Sequence, residues 1–306
     1  MLIKLFTIVK DEIDIVAEWV HYHGRLFGYE NLYIIDNMST DGTYEKLLDL
    51  QSAYGCSVFR RPNYALKGEY MTQMIHEYCS HKNESGNYTT PIAYPIDIDE
   101  FVAMYDVGTH TISCDKSAML AYFNQTILPK VASNEYMFFK TNYIMNKLIN
   151  NCATAATTSS DFDGYKNAVV ESTHGAYSNY GRMAKTFFSS KEIVEHGVRI
   201  DHGNHFNACR YFMTDLVLVH YHCRSRAQME KKVYNNVAGF GYPVNDAAAL
   251  ANYLSAPGSH HVKNRIDILN NRFKLSVETF DDARPISESH ISLAPLSAAF
   301  ADQMIK

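Results

Sequence analysis

The sequence is most easily bounded by what it lacks. No apolar run approaches the ~20 residues that a membrane-spanning helix needs, so no integral membrane segment is expected. The opening MLIKLFTIVKDEID meets charge at Lys10, too early for a signal peptide, and a cytoplasmic protein is the expectation. The 6 cysteines, at 56, 79, 114, 152, 209 and 223, form no Cys-x-x-Cys pair. That argues against a zinc knuckle or a disulfide framework and for free thiols. There is no basic block, and the net charge is −5, so nucleic acid is not an expected partner. No internal repeat is visible. No glycine-rich loop follows the first apolar run; that slot holds Lys10-Asp11-Glu12-Ile13-Asp14. Tryptophan occurs once, against 22 Tyr and 16 Phe, an aromatic supply that suits stacking on sugars.

What is present reads as alternating strands and helices. Residues 2–9 form a buried strand, ended by Lys10-Asp11-Glu12, with Asp11 as a helix N-cap. Apolar residues at 13, 16, 17, 20 and 27 have helical spacing, and Gly28 stops the helix. Asn31–Ile35 is a second strand, closed by the turn-rich Asp36-Asn37-Met38-Ser39-Thr40-Asp41-Gly42-Thr43. A helix over about 43–53, a strand over 56–60 and a helix near 66–81 follow. Such alternation predicts an α/β fold with a mostly parallel sheet and helices on both faces. Ligands of such sheets bind beyond the carboxyl ends of the strands. Lys10-Asp11-Glu12, Asp36-Asn37 and Asp97 with Asp99 all fall on that rim, whose acidity would repel a free diphosphate.

The stretch with the densest like charge is Tyr94-Pro95-Ile96-Asp97-Ile98-Asp99-Glu100-Phe101. On a strand, alternate side chains share a face, so Asp97 and Asp99 are expected to point the same way. Two carboxylates at a buried strand end repel each other and lose hydration. A divalent cation would compensate, since Mg²⁺ and Mn²⁺ take oxygen ligands and share them with a substrate diphosphate. The plainer alternative is that the carboxylates cap the following turn or helix.

KDEIDIVAEWVHYHGRLFGYENLYIIDNMSTDGT followed by YPIDIDEF resembles the nucleotide-sugar-binding half of GT-A-fold glycosyltransferases. The resemblance covers roughly the first 105 residues. A second patch, LVLVHYHCRSRAQMEKK at 216–232, is similar to the same group's histidine-tyrosine and arginine-serine signature. The resemblance implies backbone contacts from Thr7 and Val9 to a nucleobase and ribose, and a hydrogen bond from the base to Asp36. It implies that Asp97 contacts ribose or a water-bridged metal, that Asp99 binds the metal directly, and that His220 is a further metal ligand. His205 is the runner-up for that ligand. Lys10, Glu12, Asn37 and Lys67 fall in the same donor site, and Lys185 is positioned to reach a phosphate. The implied cofactor is Mn²⁺ or Mg²⁺, and the implied partners are a UDP- or GDP-sugar donor and a glycan acceptor.

From 107 on, a helix near 115–128 and a strand over 135–140 are expected. Residues 150–182 read as one long polar loop over the donor. An inverting transfer needs a general base near the acceptor hydroxyl, and Asp163, Asp161 and Glu171 lie in that loop. A strand over 185–190 and another over 216–219 follow. The tail reads as helices over about 226–240, 247–254, 266–273 and 297–305. This divides the chain into a GT-A catalytic domain, 1–225, and a helical extension, 226–306, packed on it and open to use in a homo-oligomer. The expected activity is metal-dependent sugar transfer. A sugar nucleotidyltransferase and a non-catalytic nucleotide- or carbohydrate-binding relative are the alternatives.

Overall fold

The computed structural model describes residues 3–150, 164–205, 210–256, 258–275, 277–279 and 290–301. Its strands are β1 (Ile3–Val9), β2 (Leu32–Asp36), β3 (Ser57–Arg60), β4 (Ile92–Pro95), β5 (Glu100–Asp106), β6 (Thr111–Ser113), β7 (Phe138–Asn146), β8 (Leu148–Asn150), β9 (His174–Ser178), β10 (Lys185–Ser189), β11 (Phe212–His220), β12 (Val277–Thr279) and β13 (His290–Ser292). Its α-helices are α1 (Val16–Phe27), α2 (Thr43–Tyr54), α3 (Lys67–Cys79), α4 (Lys116–Tyr122), α5 (Leu128–Ala132), α6 (Ala168–Glu171), α7 (Ser190–Val194), α8 (Arg226–Gly239), α9 (Ala247–Ala251), α10 (Ser259–Leu269) and α11 (Ala294–Ala301).

The large sheet runs β3-β2-β1-β4-β10-β7-β11-β5-β6, with β9 and β13 added beyond β7. Its first four strands are parallel, and the rest is mixed. Strand β1 explains why helices cover both faces. Leu5 and Val9 join a core that holds Trp19 and Val20 of α1, whereas Phe6 and Ile8 join a separate cluster with Met71, Met74 and Ile75 of α3. A strand that is apolar on both sides has to be covered on both sides. The architecture is therefore α/β, with a central sheet flanked by helices.

Helix α1 starts and stops for different reasons. Gly28 adopts φ 91° and donates its N–H to Gly24 O at 2.8 Å, a termination open to glycine at little cost. The N-terminus has no side-chain cap. Asp11 does not cap it as expected. Asp11 sits at φ 55°, and its Oδ1 instead accepts a 2.7 Å hydrogen bond from Thr40 N on the next loop. His23 is fully buried in α1, with Nδ1 3.0 Å from Trp19 O and Nε2 accepting from Val102 N at 3.3 Å. Burial depresses its pKa to about 3, so it is a neutral core residue.

Several expectations need correction. The strand expected through Asp97 and Asp99 ends at Pro95. The chain then makes a tight turn in which Glu100 N donates to Asp97 O at 3.1 Å. The helix expected near 115–128 is α4 and α5 joined by a π-helical segment, Phe123–Ile127. The supposed single loop over 150–182 contains α6 and β9, and β9 pairs with β7 and β13. The tail is not purely helical either. Strand β13 joins the large sheet, and Ile291, Leu293, Leu296 and Phe300 enter the main core. Among the described residues of the tail, α8, α9 and α10 form a layer with its own small core, built on Met229, Val233, Val237, Leu250 and Val262. Among the described residues, no helix is long and apolar enough to cross a membrane.

Candidate functional site

A cleft of about 450 Å³ opens beyond the carboxyl ends of β1 and β4. Lys10, Asp11 and Glu12, which follow β1, and Asp97 to Asp99, which follow β4, form one wall. Helix α8 and the first turn of α10 form the opposite wall, with Gln228, Lys232, Asn235, His260 and His261 facing in. Ser225 sets the start of α8 by accepting a hydrogen bond from Gln228 N at 3.1 Å.

The turn bearing the two aspartates is pinned from several directions. Trp19 donates its indole N–H to Asp97 O at 3.1 Å. Asp97 N donates to Glu100 Oε2 at 2.7 Å, and Tyr221 N donates to Asp99 O at 2.8 Å. The side chains of Asp97 and Asp99 then find different partners. Asp97 receives Lys67 Nζ at 2.7 Å on one oxygen and Lys185 Nζ at 2.7 Å on the other. Lys185 also reaches Glu100 Oε1 at 3.2 Å. Asp99 pairs with Lys232, and its Oδ2 lies 3.3 Å from His220 Nε2. His222 completes this side: Lys232 Nζ lies 3.4 Å from its Nδ1. Ligand atoms of Asp99, His220 and His222 all lie within 4.8 Å of one another.

Charge is balanced around the turn. Glu12, Asp97, Asp99 and Glu100 face Lys67, Lys185, Lys232 and Arg224, with Arg224 paired to Glu12. Burial alone would raise the Asp97 and Asp99 pKa values. Lys185 and Lys67 outweigh it at Asp97, and Lys232 and His220 at Asp99, so both carboxyls fall well below the ordinary range. Glu100 and Glu12 go the other way, because burial outweighs Lys185 and Arg224 respectively. The Lys232 ammonium, and then burial, drive the His222 pKa well down; burial and then His260 lower that of His261 to about 4. Both imidazoles are neutral at pH 7, the form that ligates metals.

The residues expected from the sequence divide into three sets. Lys10, Glu12, Lys67, Asp97, Asp99, His205 and His220 line the cleft, and Lys185 is buried against Asp97. Thr7, Val9, Asp36 and Asn37 do not line it. Thr7 and Val9 are buried in β1. Asp36 is spent on Arg60 Nε at 3.2 Å and Ser39 N, and Asn37 donates to Arg61 O at 2.8 Å. The rim is therefore not the uncompensated acidic edge expected from composition. Glu171 is exposed and folds back to accept from Asn167 N at 3.0 Å, a capping role at α6. Asp161 and Asp163 lie outside the described residues. Gly164, the next residue, packs so tightly on Arg224 O that an added Cβ would come within 2.4 Å.

Residues the sequence reading missed are His222 as a partner of Asp99, together with Lys232, Arg224 and Gln228. His222 stands two positions from His220, a spacing that puts both on one side of an extended segment. Lys232 closes the 216–232 patch. Arg224 and Gln228 carry no separate signal. The ring of Tyr64 meets His202 at 5.0 Å between centroids, and His202 meets Phe240 at 5.6 Å, giving the cleft an aromatic end.

No known family profile matches the sequence, and no curated protein matches it. Among solved structures, the chain is similar to S. aureus TarS residues 1–349 in complex with UDP-GlcNAc, at 8% identity and TM-score 0.40, over 89% of this chain and 72% of that one. The match to the longer S. aureus TarS spans 43% of it. Glucosyl-3-phosphoglycerate synthase from Mycobacterium tuberculosis, in complex with phosphoglyceric acid, matches at 12% identity and TM-score 0.35, over 79% of this chain and 81% of that one. A cytidylyltransferase from Leptospira borgpetersenii matches at 11% and 0.31, over 63% and 62%.

Proposed function

We propose that this chain is a glycosyltransferase that moves a sugar from a UDP- or GDP-sugar to a hydroxyl acceptor, with a divalent cation held at Asp99. The observation that supports this most is one cleft combining a cation-seeking donor set with lysine ammonium groups. Asp99, His220 and His222 form the donor set; Lys67 and Lys232, which line the cleft, supply the ammoniums. A sugar diphosphate needs both, since its phosphates are anionic in the ground state and the leaving diphosphate gains charge as the glycosidic bond breaks. The cleft's position at the carboxyl edge of parallel strands is the usual ligand crevice of such sheets.

The donor set fits a cation. His220 Nε2 is buried without a hydrogen-bond partner, although Asp99 Oδ2 is 3.3 Å away. A buried imidazole nitrogen 3.3 Å from a carboxylate oxygen is a donor pair that one cation can bridge. Two imidazoles with one carboxylate suit Mn²⁺ better than Mg²⁺, which favours oxygen. A bound cation would stabilise the departing diphosphate as a Lewis acid.

The chain's own residues do the rest. Lys67 and Lys185 fix Asp97 so that its backbone turn presents Asp99 to the histidines. Glu12, clamped by Arg224 and by Gln228 Nε2 at 2.7 Å, keeps α8 against the sheet edge. The rings of Tyr64, His202 and Phe240 offer stacking surface for a base or a sugar. In an inverting transfer, Asp163, Asp161 or Glu171 takes the acceptor proton. Of these, Glu171 would first have to leave its capping bond.

The test is turnover of a panel of UDP- and GDP-sugars with Mn²⁺ and mixed glycan acceptors, following nucleoside diphosphate release and sugar transfer. One donor is expected to turn over, and Asp99→Ala to lose at least ~100-fold in rate, as loss of a metal-type charge stabiliser would. An Asp99→Ala protein with wild-type rate would overturn the reading. Pyrophosphate release from a nucleoside triphosphate and a sugar phosphate would replace it with nucleotidyl transfer.

A further inference from the structure

The ammonium of Lys232 stands where a cation belongs. It is paired with Asp99, lies 3.4 Å from His222 Nδ1, and shares Asp99 Oδ2 with the 3.3 Å approach of His220 Nε2. Asp97, the other carboxylate of the turn, has both oxygens engaged by Lys67 and Lys185 at 2.7 Å. Lys185 is fully buried and also bound to Glu100, so this second network is closed.

We propose that Lys232 is the resident counter-ion of Asp99 and that a divalent metal displaces it, taking Asp99, His220 and His222 as ligands and leaving Asp97 with its two lysines. The inference rests on the functional reading above for the location of the cation and its ligands, and goes beyond it in one respect: it makes occupancy an exchange of one cation for another. Exchange keeps Asp99 compensated in both states, which an empty carboxylate–histidine site would not. The displaced ammonium stays on α8, facing the same cleft, where a phosphate oxygen is the partner that suits it. Metal arrival thus hands a positive charge from the protein's own carboxylate to the incoming anion. The donor chemistry also sets a preference: nitrogen-rich sites follow the order Co²⁺ over Mn²⁺, with Mg²⁺ poorest.

The experiment is titration of the full chain with Co²⁺, Mn²⁺ and Mg²⁺ alone, by calorimetry, with the visible absorption of bound Co²⁺ as a second readout. Wild type is expected to bind Co²⁺ most tightly. Lys232→Met should bind it at least ~10-fold more tightly, because the competitor is gone, and Lys232→Gln should behave alike if the Met variant folds poorly. His222→Ala should weaken binding at least ~10-fold, in the range seen when a site loses a supporting group, and alter the Co²⁺ spectrum. Asp97→Asn should change affinity less than His222→Ala and leave the spectrum in place. Unchanged affinity in both Lys232 variants, or a larger loss in Asp97→Asn than in His222→Ala, would overturn the exchange. A third titration, of UDP and GDP, separates the two readings. Nucleotide binding in EDTA with no metal binding at all would keep the nucleotide site and overturn the exchange. Metal binding with this variant pattern but no nucleotide binding would support the exchange and count against the transferase.

Discussion

The two carboxylates of one turn, Asp97 and Asp99, belong to two different regions of the molecule. Asp97 is held by Lys67, the first residue of α3, and by Lys185, the first residue of β10. Both elements are rooted in the large sheet and its two cores. Asp99 is held by Lys232 on α8, a helix whose own core is five buried side chains. Stability is not uniform across a fold, and a layer with few buried apolar contacts opens at lower cost than the sheet beneath it. The difference teaches which of the two ion pairs can be exchanged. The pair rooted in the sheet is structural, and the pair rooted in the thin helical layer is free to change partners.

The largest break in this comparison should come from Lys185→Met. Removing a fully buried cation leaves Asp97 and Glu100 crowded with one lysine between them, and breaking a buried pair from one side costs about 3–5 kcal/mol. Denaturant unfolding at pH 7 measures this. Adding Glu100→Gln should recover part of the loss, as expected for contacting sites. A loss below 1 kcal/mol would show that the Asp97 network is not the fixed one.

Leu250→Ala should cost less, and locally. Leu250 is fully buried in the small core under α8, and a Leu→Ala change at such a site costs about 2–5 kcal/mol, toward the low end where the site can collapse. Amide exchange should quicken in α8 while β1 and β2 keep their protection. Equal quickening in the sheet would merge the two regions into one cooperative unit.

Acid should separate them by a smaller margin. His261 faces the cleft from α10 with a folded pKa of about 4, against an ordinary value of 6.5. The unfolded chain therefore binds more protons between those values, so the contribution of this residue is present above about pH 6.5 and is lost as pH falls toward 4. His261 is only partly buried, so about 1 kcal/mol is expected after discounting for solvent. Comparing the pH dependence of unfolding in wild type and His261→Gln checks the sign: the variant should have the flatter profile between pH 6.5 and 4.

The parallel half of the sheet was legible because its signals are local. Strand β1 is a continuous apolar run, Gly28 ends α1, and the loop after β2 is rich in turn formers. Asp97, Asp99 and His220 were singled out by spacing and by the resemblance, and the fold brings all three to one cleft. Their geometry was not legible. A strand reading put both aspartates on one face, yet a turn hydrogen bond between Glu100 N and Asp97 O sends them to different partners. The compensating lysines were hidden for a related reason. Lys67, Lys185 and Lys232 lie 30, 88 and 133 residues from the aspartates they neutralise, and sequence separation of that size carries no pairing rule. Composition counted the acids on the rim and could not count the bases that the fold brings to them. Asp36 stands at the expected strand end, where Arg60 and Ser39, also hidden from a sequence reading, hold its carboxylate.

The central claim is that the Asp99 side of the turn takes a cation and a nucleoside diphosphate together. Calorimetric titration of UDP and GDP into wild type and Asp99→Ala, each with Mn²⁺ and with EDTA, tests it most directly. Wild type should bind one of the two nucleotides at least ~10-fold more tightly with Mn²⁺, a coupling of about 1.4 kcal/mol. Any binding in EDTA should be weak, because without metal Lys232 stays paired with Asp99 and Lys67 with Asp97. Asp99→Ala should show no Mn²⁺ response. Equal affinity with Mn²⁺ and EDTA in the wild type, or an intact Mn²⁺ response in Asp99→Ala, would contradict the account.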